Sequence, residues 1–133
     1  LSRPEEGRQE SFVSENKIIY TAGNTIDVTF EDFKERPCIQ HRLSPGFVAP
    51  TPDEIRFVRI KLLGWPQTKL GAFLGYPIDK KGCSTVLRWE RPIEASNHRN
   101  IEYNAWRRML LLAGVIDEEV DLLTAEKHLE LLA

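Results

Sequence analysis

Hydroxyl-bearing and cationic side chains recur at a helical spacing in the middle of this 133-residue chain. Over Ser84-Thr85-Val86-Leu87-Arg88-Trp89-Glu90-Arg91, helical geometry sets Thr85, Arg88 and Arg91 within about 100° of Ser84. Lys81 falls on the same side, and Lys80 joins it if the helix starts early enough. Val86 and Trp89 fall opposite. A helix of this kind packs its apolar side inward and offers hydroxyl and guanidinium groups outward. Those groups hydrogen-bond phosphate oxygens and base edges.

Other chemistry is sparse. Cys38-x-x-His41 supplies two metal-ligand types, whereas a closed zinc site needs four and no second close pair follows. His41, His98 and His128 are scattered. No phosphate loop and no nucleophile with a nearby base forms a known motif, so neither an enzyme nor a cofactor is expected. Two cysteines do not make a disulfide framework, and a reduced setting fits them better. No basic stretch precedes an apolar core at the start of the chain, and the longest apolar run, Met109 to Ala113, is too short to span a bilayer. A cytoplasmic protein with no membrane partner is the expectation.

Charge is uneven along the chain. The whole carries −2, with 18 Lys/Arg against 20 Asp/Glu. Residues 51–115 hold eleven Lys/Arg and six Asp/Glu, a net of +5. Residues 116–133 hold one and six, a net of −5. A basic middle between acidic ends suggests that the middle meets a polyanion.

The elements that would position these groups are punctuated clearly. Thr51-Pro52-Asp53-Glu54 is a helix start, with a capping threonine, proline at the first helical position and Glu54 at the capping-box position. Ile55, Val58 and Leu62 follow at helical spacing, and Gly64 is the stop. A second helix is expected from Pro66 to Leu74 with Leu70, Phe73 and Leu74 inward, ended by Gly75. A turn over Tyr76–Gly82 leads to a third helix reaching about Arg91, before Pro92. Ser96 or Asn97 is the expected cap of a fourth helix, whose stripe is Tyr103, Trp106, Met109, Leu110 and Ala113. Gly71 is the small residue needed where the third helix crosses the second. Val58, Leu62, Leu70, Leu74, Val86, Trp89, Trp106 and Leu110 are the expected core.

The stretch Ile55–Glu90 resembles the phage-repressor family of helix-turn-helix regulators, of the Cro and xenobiotic-response type. Leu63-Gly64-Trp65-Pro66-Gln67, Leu70-Gly71, Leu74-Gly75 and above all Ser84-Thr85-Val86-Leu87-Arg88-Trp89-Glu90 carry the likeness. The resemblance implies that Gln67 opens the second helix near a phosphate, and that Ser84, Thr85 and Arg88 lie on the base-reading side of the third. It also implies an ion pair between Arg59 and Glu90, although Arg59 stands one residue further from Gln67 than the family pattern has it. The turn within Pro77–Cys83 is about five residues longer than the family's.

The expected architecture is mainly α, a four-to-five-helix lambda-repressor-like domain behind a small β-hairpin. Residues 1–16 read as a flexible segment. Residues 17–50 read as a hairpin (Ile18–Tyr20 and Ile26–Phe30 around Ala22–Thr25) and a proline-rich connector. Residues 51–114 read as the DNA-binding domain, and 115–133 as an acidic helix or tail. The expected function is sequence-specific binding of double-stranded DNA by a homodimeric transcriptional regulator, a repressor on a palindromic operator. Gln67, Lys80, Lys81, Ser84, Thr85, Arg88 and Arg91 form its DNA-contacting set. The alternative is an antitoxin whose strands or acidic tail hold a toxin partner.

Overall fold

The computed structural model describes residues 25–133 and is mainly helical. Helix α1 spans Phe30–Phe33, and a single 3-10 turn follows at Pro37–Ile39. Helix α2 spans Pro52–Arg56 and continues as a π-helical segment over Phe57–Leu63. Helices α3 (Gln67–Leu74), α4 (Ser84–Glu90), α5 (Tyr103–Leu112) and α6 (Glu118–Leu132) complete the described chain.

No β-strand occurs among the described residues. The expected first hairpin strand, Ile18–Tyr20, lies outside them. The expected second strand is not one: residues 26–29 carry no strand pairing, and Phe30 already belongs to α1. The reason is a local competition. Thr29 accepts a hydrogen bond from the Asp32 amide at 3.0 Å, and Glu31 and Asp32 fill the first turn. A capping threonine with acids behind it favours a helix start over continued extension. The turn then delivers Phe33, fully buried, against Phe57 with ring centroids 4.6 Å apart.

The proline-rich stretch is part of the core as well as a connector. Cys38 and Ile39 are buried in its 3-10 turn. The Trp106 indole donates to the Cys38 carbonyl at 2.9 Å, and Arg107 donates to the Ile39 and Gln40 carbonyls at 2.7 and 3.0 Å. Backbone carbonyls that a proline-rich loop cannot pair internally are satisfied by α5.

The punctuation around α2–α4 forms as the residues dictate. Thr51 and Glu54 make a reciprocal capping box, at 3.2 and 2.8 Å. Gly64 and Gly75 end their helices in the left-handed conformation, at φ 67° and 89°. Helix α5, by contrast, starts at Tyr103 rather than just after Ser96 or Asn97, and Glu102 precedes it without a side-chain cap. Residues 92–99 instead fold back on α4. The Arg99 amide donates to the Arg88 carbonyl at 3.1 Å, and the His98 ring lies 3.0 Å from both the Arg91 carbonyl and the Asn100 side-chain oxygen.

One core joins these pieces. Ile55, Val58, Leu70, Val86, Trp89, Trp106, Met109 and Leu110 are buried in it together with Phe33 and Cys38, while Leu62 and Leu74 pack partly buried at its edge. Helix α6 differs from the rest. None of its residues is fully buried, and Arg107 holds it through paired hydrogen bonds to Asp121 at 2.7 and 3.1 Å. No described helix is long and apolar enough to cross a membrane.

Candidate functional site

Helix α4 is held by its last residue. The Glu90 side chain, 1% exposed, takes Arg59 Nε on Oε2 at 2.6 Å and Arg59 Nη2 on Oε1 at 2.8 Å. Gln67 Nε2 donates to the same Oε1 at 3.0 Å. Arg59 Nη1 reaches the Trp65 carbonyl at 2.9 Å, and Arg56 Nη1 donates to the Glu90 backbone carbonyl at 2.5 Å. One carboxylate therefore ties α2, the start of α3 and the end of α4 together. The bidentate geometry fixes angles as well as distances.

The residue spacing that set Arg59 one position too far from Gln67 has a structural counterpart. Arg59 lies inside the π-helical segment Phe57–Leu63, whose turns hold one residue more than α-helical turns. The widened turn takes up the additional residue, and the ion pair forms. Gln67 begins α3 as expected, but its side-chain amide is directed at Glu90 rather than outward at an anion.

Close approach between α3 and the lead-in to α4 depends on Gly71. A Cβ there would stand 2.4 Å from Cys83 Sγ. The element that demands a small residue is thus the N-cap of α4, not its body. Cys83 and Gly71 are both buried.

Above that contact, α4 turns one side outward. Ser84, Leu87, Arg88 and Arg91 are exposed, Thr85 is partly buried at the edge, and Val86, Trp89 and Glu90 face the core. Arg91 Nε lies 3.2 Å from the Asn97 side-chain oxygen, whereas the Arg88 guanidinium has no partner among the described residues. Lys80 and Lys81 are not on the helix. The helix begins only at Ser84, and both lysines sit in an exposed tight turn closed by the Asp79–Gly82 pairing. The Asp79 carboxylate accepts the Lys81 amide at 2.8 Å, which favours a turn over a helical start. This turn lies against the first turn of α3, because a Cβ at Gly82 would stand 3.8 Å from Thr68 Cγ2.

Leu87 is the residue of this face that sequence reasoning passed over. It lies about 60° from Ser84 on the wheel, just beyond Arg91, and is 36% exposed. The signal was available: a leucine whose helical angle matches the cations, not the core. Beside it runs an open groove of about 570 Å³, with Leu87, Arg91, Pro92 and Ile93 on one side and Thr51, Pro52 and Asp53 on the other.

The electrostatics are sharper than the net charge suggests. Of the eleven cations in residues 51–115, Arg56, Arg59 and Arg107 are buried and engaged with Asp53, Glu90 and Asp121. The other eight are all exposed, namely Lys61, Lys69, Lys80, Lys81, Arg88, Arg91, Arg99 and Arg108. The basic excess of this region is therefore carried at the surface.

Titration is perturbed away from this face. Glu54, hydrogen-bonded to Arg36 at 2.6 Å, raises the arginine further. Burial pushes the Cys38 thiol up, and the nearby Glu54 carboxylate adds to the effect. Burial and a hydrogen bond to Glu102 push the Tyr76 phenol up to about 12. Cys38 and His41 stay apart in role: the thiol is buried, and His41 Nδ1 accepts the Leu43 amide at 3.1 Å. Among the described residues no cluster of three or more metal-ligating side chains occurs. No family model, no curated protein and no solved structure matches this chain.

Proposed function

We propose that the chain is a helix-turn-helix regulator that binds double-stranded DNA by laying α4 in the major groove. The observation that carries this reading is α4 itself, a short helix with its apolar side anchored and the Arg88 guanidinium outward, without a partner among the described residues. Ser84, Thr85 and Arg88 face base edges in this reading, while Lys80, Lys81 and Arg91 meet phosphates. Gln67 contributes from within, by holding Glu90 and so the angle of α4. The resemblance of Ile55–Glu90 to phage-repressor regulators supports the same assignment, as does the Arg59–Glu90 pair. One α4 reads only a few base pairs, so a homodimer on a palindromic operator, acting as a repressor, completes the reading.

The test separates reading from holding. A base-reading arginine is worth about 1–3 kcal/mol at one position, whereas a phosphate lysine weakens all sequences alike and lowers the salt slope by about one. Arg88→Ala is expected to lose affinity for a duplex selected from a random library far more than for random DNA. Lys81→Ala is expected to weaken both by similar factors. Fluorescence anisotropy against both duplexes at several salt concentrations measures this. Unchanged operator binding by Arg88→Ala rejects α4 as the reader.

A second reading, an antitoxin that also binds DNA, is favoured by one observation. Helix α6 is acidic and exposes Val120, Leu122, Leu123, Leu129, Leu131 and Leu132. Such a surface suits a protein partner.

A further inference from the structure

Three apolar residues lie on α4, and two are explained by the core: Val86 is fully buried and Trp89 is 2% exposed. Leu87 is not. It stands on the outward side with Ser84, Arg88 and Arg91, and its own amide bonds the Cys83 carbonyl, so it is fixed in the first helical turns. A face meant only for phosphates has no use for a leucine. In the major groove each base pair shows donors and acceptors, and the apolar group among them is the pyrimidine C5-methyl of thymine.

We propose that Leu87 is a specificity-determining residue that packs on a pyrimidine C5-methyl group in each half-site. This rests on the reading of α4 as the DNA-binding helix. Leu87 and Arg88 are consecutive, so the methyl lies about one or two base pairs from the guanine that Arg88 would read. The pairing gives the site a chemical signature, a methylated pyrimidine beside a guanine. Thymine and 5-methylcytosine both carry that methyl group.

The experiment uses the full chain and a duplex selected from a random library. Each thymine in turn is replaced by deoxyuridine, which removes the methyl and nothing else. Each cytosine in turn is replaced by 5-methyl-deoxycytidine, which adds one. Removal at one position is expected to weaken binding about fourfold, the value of one buried methyl-sized group. Thymine as the source gives a loss at a deoxyuridine position, and methylated cytosine gives a gain at a modified cytosine. Either response supports the proposal if Leu87→Ala abolishes it while retaining the helical signal of the parent. Leu87→Ala is also expected to keep its affinity for random DNA. Binding that depends on Arg88 but ignores every methyl change overturns the role of Leu87 alone. A methyl response that survives in Leu87→Ala overturns it too. Absence of any preferred duplex overturns both this proposal and the reading of α4 on which it rests.

Discussion

At the scale of single residues, Glu90 has the most dependents. Its carboxylate receives Arg59 and Gln67, and all three are removed from bulk water to different degrees. A buried ion pair adds little when compared with apolar substitutes, but losing one partner leaves the other charged and stranded. Glu90→Gln is therefore expected to lower stability by about 3–5 kcal/mol, because the buried Arg59 loses its counter-charge. Replacing both partners, as Arg59→Met with Glu90→Leu, is expected to recover much of that loss. Urea denaturation of the two variants checks this. A single variant as stable as the parent would remove Glu90 from its role as the clamp of α4. The pair itself was legible only through the family likeness. Nothing in local sequence predicts a π-helical turn that brings Arg59 into register. Gly71 was legible as a close-approach residue from its place in α3, but Cys83, the atom it makes room for, was not. Contacts of that kind depend on how two elements cross, which composition does not encode.

At the scale of elements, legibility followed the strength of local punctuation. The capping box at Thr51, the glycine stops at Gly64 and Gly75 and the apolar phase of α4 act within a few residues, and each was readable. The strand expected at Ile26–Phe30 was not formed, because a period-two pattern is weaker than a threonine cap with acids behind it. The start of α5 was misplaced because Ser96 and Asn97 look like caps, while the fold uses that loop to close the end of α4. The acidic composition of residues 115–133 reads as a helix or a tail, and Glu118–Leu132 form a helix whose attachment the sequence does not indicate. Among the described residues Asp121 ties it to Arg107, whose other hydrogen bonds go to the carbonyls of Ile39 and Gln40 at the 3-10 turn. Asp121→Asn removes the charge on one side but leaves Arg107 bonded to Ile39 and Gln40. Amide exchange in α6 is thus expected to accelerate by an order of magnitude or more, while α2–α5 keep their protection. Uniform acceleration across the chain would mean that α6 is integral to the core rather than an attached arm.

At the scale of the whole molecule, the proposed function implies different partners and opposite salt responses for the acidic arm and the basic face of α4. Leu122, Ala125, Leu129 and Leu132 recur along α6 at intervals of three, four and three, the spacing of a two-helix seam. The three leucines are exposed, and Leu122 shares a shallow groove with Leu111 of α5. Pairing this seam with a second copy would bury leucines that the single chain leaves in water. It would also bring acidic residues, Glu119 and Glu126 beside the seam, near those of the other copy. Screening relieves that repulsion, so self-association is expected to strengthen as salt rises. DNA binding, which releases counterions, is expected to weaken over the same range. Light scattering of the full chain at low and high salt, with and without operator, follows the first effect. Leu122→Asp with Leu129→Asp is expected to give a monomer with an unchanged helical signal, and to lose operator affinity more than affinity for random DNA. A parent that remains monomeric at high micromolar concentration under all four conditions rejects the homodimer. A paired variant that stays dimeric moves the interface off α6, and the N-terminal residues before α1 become the surface to test.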